Sequence, residues 1–125
     1  MQLYWKRDGG ILLLQLTGVL ATADIALLDS TIKAQTASGI QEVWLDCDAL
    51  ESVSTGALEY LTLCQHCLQE EGIHLLLVHL SHDIISLFKQ VQLDATLPVM
   101  STLEMAYASY RSKLQRQQHL YDRTR

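Results

Sequence analysis

Cysteine, proline and aromatic residues are all scarce: three Cys, one Pro and 6% aromatic side chains in 125 residues. An odd number of cysteines offers no even disulfide framework, which points to a reducing compartment. There is no long apolar run. Ile11-Leu12-Leu13-Leu14 falls far short of the ~20 residues a membrane helix needs. No such run follows the basic pair Lys6-Arg7 either, so the N-terminal stretch does not read as a secretory leader. The expectation is a soluble, cytoplasmic protein without an integral membrane segment.

Positive charge is also scarce over most of the chain. Up to Tyr110 there are 4 Lys/Arg against 13 Asp/Glu, whereas from Arg111 onward there are 5 against 1. An acidic body repels phosphates, so no nucleic-acid partner is expected. Arg111, Lys113, Arg116 and Arg123 form either a basic helix end, which suits the helix dipole, or a solvated tail.

The motifs of several enzyme classes are missing. There is no Gly-rich phosphate loop with Lys, no Gly-x-Gly-x-x-Gly after a strand and no Gly-x-Ser-x-Gly elbow. Cys64-Gln65-His66-Cys67 has half the spacing of a zinc site. It falls mid-helix, where Cys64 continues the stripe of Leu61 and Leu68, and no second Cys pair exists. The histidines at 66, 74, 79, 82 and 119 are scattered. No catalytic group, cofactor or metal is expected.

What remains is a globular composition, 49% apolar, of a size that suits one domain. Leu3–Lys6 and Ile11–Leu16 read as a hairpin around Gly9-Gly10. Asp24 is placed to cap a helix through Ile25, Leu28, Ile32 and Ala34, stopped at Gly39. Glu42–Cys47 is a central strand, with a polar loop after it. Ser54 or Thr55 caps a helix through Leu58, Leu61, Cys64 and Leu68 to Gly72. Ile73–Val78 is another strand. Ser81 opens a helix with the stripe Ile84, Leu87, Phe88 and Val91, and a short strand follows near Thr96–Val99. In Ser101-Thr102-Leu103-Glu104, Ser101 with Glu104 makes a capping box for a last helix. That helix carries Ala106 and Tyr110 inward and frays beyond Leu114. The order β-β-α-β-α-β-α-β-α predicts an α/β domain with a mixed sheet of about five strands and about four helices.

The segment from Trp44-Leu45-Asp46 through Ser54-Thr55-Gly56-Ala57-Leu58 stands out. An apolar strand ends in an acidic residue, and small hydroxyl residues follow at a helix start. Free N–H groups and a partial positive charge there would accommodate a phosphate on a hydroxyl. A plain helix cap explains the same residues.

Together with Gly18-Val19-Leu20-Ala21, Leu87-Phe88 and Ser101 to Ala106, these residues resemble the STAS domain of anti-sigma factor antagonists. The resemblance runs over about residues 3 to 110. It implies a 1–110 STAS-like domain followed by the basic helix end or tail, 111–125. It also implies a phosphorylatable hydroxyl in the Asp-Ser-Ser-Gly-Leu motif. Counted without a gap from Asp46, that hydroxyl is Thr55, Ser54 replaces the motif Asp and Ala57 the motif Gly. In the register slid by one it is Ser54, with Val53 replacing the Asp. The gapless register keeps Val53 and Leu58 pointing into the core. Ala21 replaces the Asp of the first motif.

The implied function is a non-enzymatic regulatory module that binds an anti-sigma factor or serine/threonine switch kinase. The implied surface is Ser54, Thr55 and Gly56, with Ala21, Thr22 and Asp24 beside it and Asp48 and Glu59 flanking it. The alternative is a constitutive subunit of a larger assembly, contacting a transporter ATPase in a lipid-transport complex.

Overall fold

The computed structural model describes residues 1–37, 39–90 and 97–123, the last seven by backbone alone. Strand β1 (Gln2–Asp8) turns at Gly9-Gly10 into β2 (Ile11–Leu20). Gly9 has φ 58, the left-handed conformation that a two-residue hairpin turn asks of its first residue. After a 3₁₀ turn (Thr22–Asp24) come α1 (Ile25–Gln35), β3 (Glu42–Val53), α2 (Thr55–Glu70) and β4 (His74–Val78). The chain continues through α3 (His82–Gln90), β5 (Val99–Met100) and α4 (Leu103–Arg123).

The sheet order is β1-β2-β3-β4-β5. β1 runs antiparallel to β2, and the other neighbours are parallel. The mixed five-stranded α/β architecture is therefore the expected one.

Both faces of the sheet are covered over β2, β3 and β4, which is why these strands read as apolar runs rather than as alternations. Leu12, Leu14, Val43, Leu45, Leu75 and Leu77 pack on one side with Leu28 and Ile32 of α1, Leu58 and Leu61 of α2, and Ile84 and Phe88 of α3. Ile11, Leu13, Trp44, Leu76 and Val78 pack on the other side with Ala106 of α4, and Leu103, Tyr107 and Tyr110 close over them. Trp44 meets Tyr107 edge to face, with ring centroids 4.7 Å apart. Its Nε1 donates to Glu42 Oε1 at 2.9 Å, and Lys113 Nζ lies 3.5 Å from Glu42 Oε2. The buried Glu42 carboxylate thus has both an N–H donor and a cation.

The sequence expectations need several corrections. The polar loop expected after Cys47 is strand: β3 continues to Val53 and pairs with β2 as far as Leu20. Two register shifts put extra residues into β3, so its buried Leu50 and Val53 are three apart and hide the period of two. Asp24 stands at the N-cap of α1 without capping it, and its Oδ2 instead accepts the backbone N–H of Ala21 at 2.9 Å. The cap of α4 is Thr102, whose Oγ1 accepts from Met105 N at 3.2 Å, one residue after the expected Ser101. Finally, α4 does not fray beyond Leu114 but continues to Arg123. Ala34 is exposed, while Leu28 and Ile32 point inward as expected. Val91 and Thr96 lie outside the described residues, as do the side chains of His119 and Arg123.

Candidate functional site

The site is the junction where β2 and β3 both end. Ser54 N donates to Leu20 O at 2.9 Å, which ties the start of α2 to the segment leading into α1. Ser54 has extended backbone (φ −72, ψ 159), and its Oγ accepts from Ala57 N at 3.1 Å. Ser54 is therefore the N-cap, and Thr55 is the first helical residue.

Thr22, on the neighbouring 3₁₀ turn, places its Oγ1 3.3 Å from Ser54 Oγ. Gly56 makes that approach possible, because a Cβ there would lie 2.6 Å from Thr22 Oγ1. Ala57 and Leu58 are buried in the core, while Thr55 is exposed on the outer side of the same turn.

The fold thus brings Ala21, Thr22 and Asp24 beside Ser54, Thr55 and Gly56. It leaves Thr55 and Thr22 facing solvent. Glu59 is exposed one turn along α2, and Asp48 is exposed further back on β3. Ser54→Ala should lower the unfolding free energy by about 1 kcal/mol, read as a reduced urea midpoint. Thr22→Val, which removes only the long hydroxyl contact, should cost less.

Asp46, the acidic residue of the strand, is not part of this turn. It shares the Trp44 face of β3 and is buried, with Oδ1 3.0 Å from His79 Nδ1 and 3.2 Å from Asp48 N. His79 has φ 60, a left-handed backbone unusual for a residue with a side chain. Sequence reading placed His79 among scattered histidines, since nothing in the chain signals a partner 33 residues away.

A second feature adjoins the turn. Between α1 and α2 lies an open groove of about 840 Å³, lined among others by Ile25, Ile32, Tyr60, Leu63 and Cys64, with Thr22 also on its wall. Asp29 accepts from Lys33 Nζ at 2.8 Å and from Tyr60 OH at 3.0 Å. The Lys33 hydrogen bond holds its carboxyl below the ordinary 3.8. A depressed carboxylate stabilises the fold above the unfolded value, and that contribution is lost as pH falls through the folded one. Asp29→Asn should therefore flatten the fall in urea midpoint below about pH 4. The exposure of the pair keeps the effect small.

Burial pushes the Cys64 thiol up, and it pushes Cys47 to about 12, so neither is a ready nucleophile. Cys67 is exposed. Among the described residues no group of three or more His, Cys, Asp or Glu is placed to hold a metal.

The fold has solved counterparts. A proposed anti-sigma factor antagonist from Thermotoga maritima superposes with a TM-score of 0.79 at 15% identity, over 87% of this chain and 94% of that one. The Bacillus cell fate determinant SpoIIAA in its phosphorylated form gives 0.68 at 12% identity, over 87% and 99%. A sulfate transporter family protein from Wolinella succinogenes gives 0.75 at 14% identity, over 85% and 88%. At these identities the likeness is one of fold. No curated protein sequence matches the chain. The sequence profile of the STAS domain matches residues 4–106, which spans both cores and the turn. The chain belongs to the STAS domain family.

Proposed function

We propose that this STAS domain is a non-enzymatic regulatory module that docks an anti-sigma factor or serine/threonine switch kinase on the Ser54–Gly56 turn. The observation that carries this reading is the division of labour between two hydroxyls. Ser54 Oγ is used internally, against Ala57 N and Thr22 Oγ1. Thr55 projects outward from the first turn of a 16-residue helix.

A phosphate on Ser54 would crowd Thr22, whose Oγ1 lies 3.3 Å away, and would disturb the cap. A phosphate on Thr55 would leave it in place and would meet the positive helix end. This favours Thr55 as the acceptor. SpoIIAA has been solved in unphosphorylated and phosphorylated forms, so a protein of this fold carries the modification. On Thr55 the group would add a charge of about −1.5 to −2 close to Asp24 and Glu59. An acidic partner surface would then be repelled, and release would need no refolding.

In this reading the binding unit is residues 1–110. The basic helix end 111–125 is an appendage whose Lys113 is anchored at Glu42. The proposed setting is the cytoplasm, and no described helix is long and apolar enough to cross a membrane.

A second reading is a constitutive subunit of a transport assembly, with Thr55 as a contact rather than a phosphosite. It is favoured by the resemblance to the Wolinella protein and to murine Slc26a9, an anion transporter.

Affinity capture with the tagged full chain, followed by mass spectrometry, separates the two. An ATP-binding kinase-like partner supports the switch, and a transporter ATPase supports assembly. Intact mass after incubation with the captured kinase should show one added phosphate that Thr55→Ala abolishes. A phosphate that persists in Thr55→Ala would overturn the Thr55 assignment.

A further inference from the structure

We propose that two copies of this chain join through β1, edge to edge and antiparallel, with the two-fold axis at Trp5. The proposal is independent of the Ser54–Gly56 turn. β1 has β2 as its one strand neighbour among the described residues. It exposes two large aromatic side chains, Tyr4 at 63% and Trp5 at 47%. Aromatic side chains are only 6% of the sequence, so two at one strand edge is a concentration typical of an interface core.

The hydrogen-bond pattern fixes which groups β1 offers. Glu42 N donates to Gly10 O at 3.1 Å, so Gly10 and the even residues of β2 turn their backbone groups towards β3. Ile11, Leu13 and Gln15 then bond to Asp8, Lys6 and Tyr4, their partners in β1. Leu3, Trp5 and Arg7 turn their N–H and C=O to the outer edge. In a two-fold pair the outward residues must meet outward residues. The register centred on Trp5 does this over the whole strand: Trp5 faces Trp5, Leu3 faces Arg7 and Gln2 faces Asp8. It also sets Lys6 opposite Tyr4 on the α4 side, a cation beside an aromatic ring. A hollow of about 110 Å³ walled by Tyr4, Trp5, Lys6, Leu13 and Gln15 gives the second copy's Tyr4 ring a seat. Moving the axis to Lys6 would stack Lys6 on Lys6, which is unfavourable.

Charge favours a second copy at this place. The body carries 4 Lys/Arg against 13 Asp/Glu up to Tyr110, so two copies repel over most of their surface. Lys6 and Arg7 are half of those cations, and they stand on this strand beside Asp8. Within that acidic body, this edge is a place where two copies can approach at low electrostatic cost.

Sedimentation equilibrium of the full chain should show a concentration-dependent dimer. Trp5→Pro should raise its dissociation constant at least about tenfold, as loss of a central aromatic does. The fold should survive, because the Trp5 N–H makes no bond to β2, and far-UV circular dichroism checks this. In a Cys67→Ser background, Trp5→Cys should oxidise to a cross-linked dimer and Gln2→Cys should not. The cysteine pair carries the test if the proline variant fails to fold. A chain monomeric at every concentration, a dimer unmoved by Trp5→Pro, or equal cross-linking at both positions overturns the proposal.

Discussion

Trp44→Ala is expected to lower the unfolding free energy by about 3–5 kcal/mol, against a total of about 5–15 kcal/mol for a domain of this kind. Three losses combine. The side chain is fully buried, so its removal opens a cavity in the smaller core beneath α4. The rings of Tyr107 and Tyr110, at 4.7 and 6.4 Å from it, lose their partner. Glu42 loses the indole donor at 2.9 Å and keeps only Lys113 at 3.5 Å, which leaves a buried carboxylate less well compensated. Trp44→Phe separates these terms, since it restores most of the packing but not the donor. A Phe variant that costs as much as Ala would put the effect in the Glu42 hydrogen bond. A Phe variant close to wild type would put it in the packing. Urea denaturation followed by circular dichroism reads both.

Thr55→Glu is expected to weaken partner binding at least about 100-fold, roughly 3 kcal/mol, because an unpaired charge is carried into the interface. Its effect on folding should have the opposite sign. A carboxylate in the first turn interacts favourably with the helix dipole, by about 0.3–1 kcal/mol. The helix keeps its cap, since Ser54 Oγ and Ala57 N are untouched. A variant that binds far worse while unfolding at the same or a higher urea concentration identifies Thr55 as a contact. Loss of binding together with loss of stability would instead mean that the turn had been disrupted. Thr55→Val, similar in shape and uncharged, should bind nearly as well as wild type.

The element order was legible in the sequence because glycines bound the apolar runs. Gly10 and Gly18 bracket the core run of β2, and Gly72 precedes β4. Helix starts were legible wherever one hydroxyl residue had a clear claim, as at Ser81, whose Oγ accepts from Ile84 N at 3.3 Å. They were not legible where two hydroxyls adjoin. At Ser54-Thr55 and Ser101-Thr102 either residue has the chemistry of a cap, and only the backbone direction decides between them. The second half of β3 was hidden because its extra residues break the alternation that marks a strand. In the site, the pattern picked out Ser54, Thr55 and Gly56. It could not say that Gly56 is small because Thr22 lies against it, nor that Asp46 turns to the opposite face and meets His79. Those are contacts between residues 34 and 33 positions apart, made by the sheet rather than by local chemistry.

Amide hydrogen exchange of the full chain, alone and saturated with its captured partner, tests the placement of the docking surface most directly. New protection is expected at residues 21–24 and 54–60, with the amides of β1 and α4 unchanged. Protection confined to β1 or α4, with the Ser54–Gly56 turn exchanging as in the free chain, would contradict it.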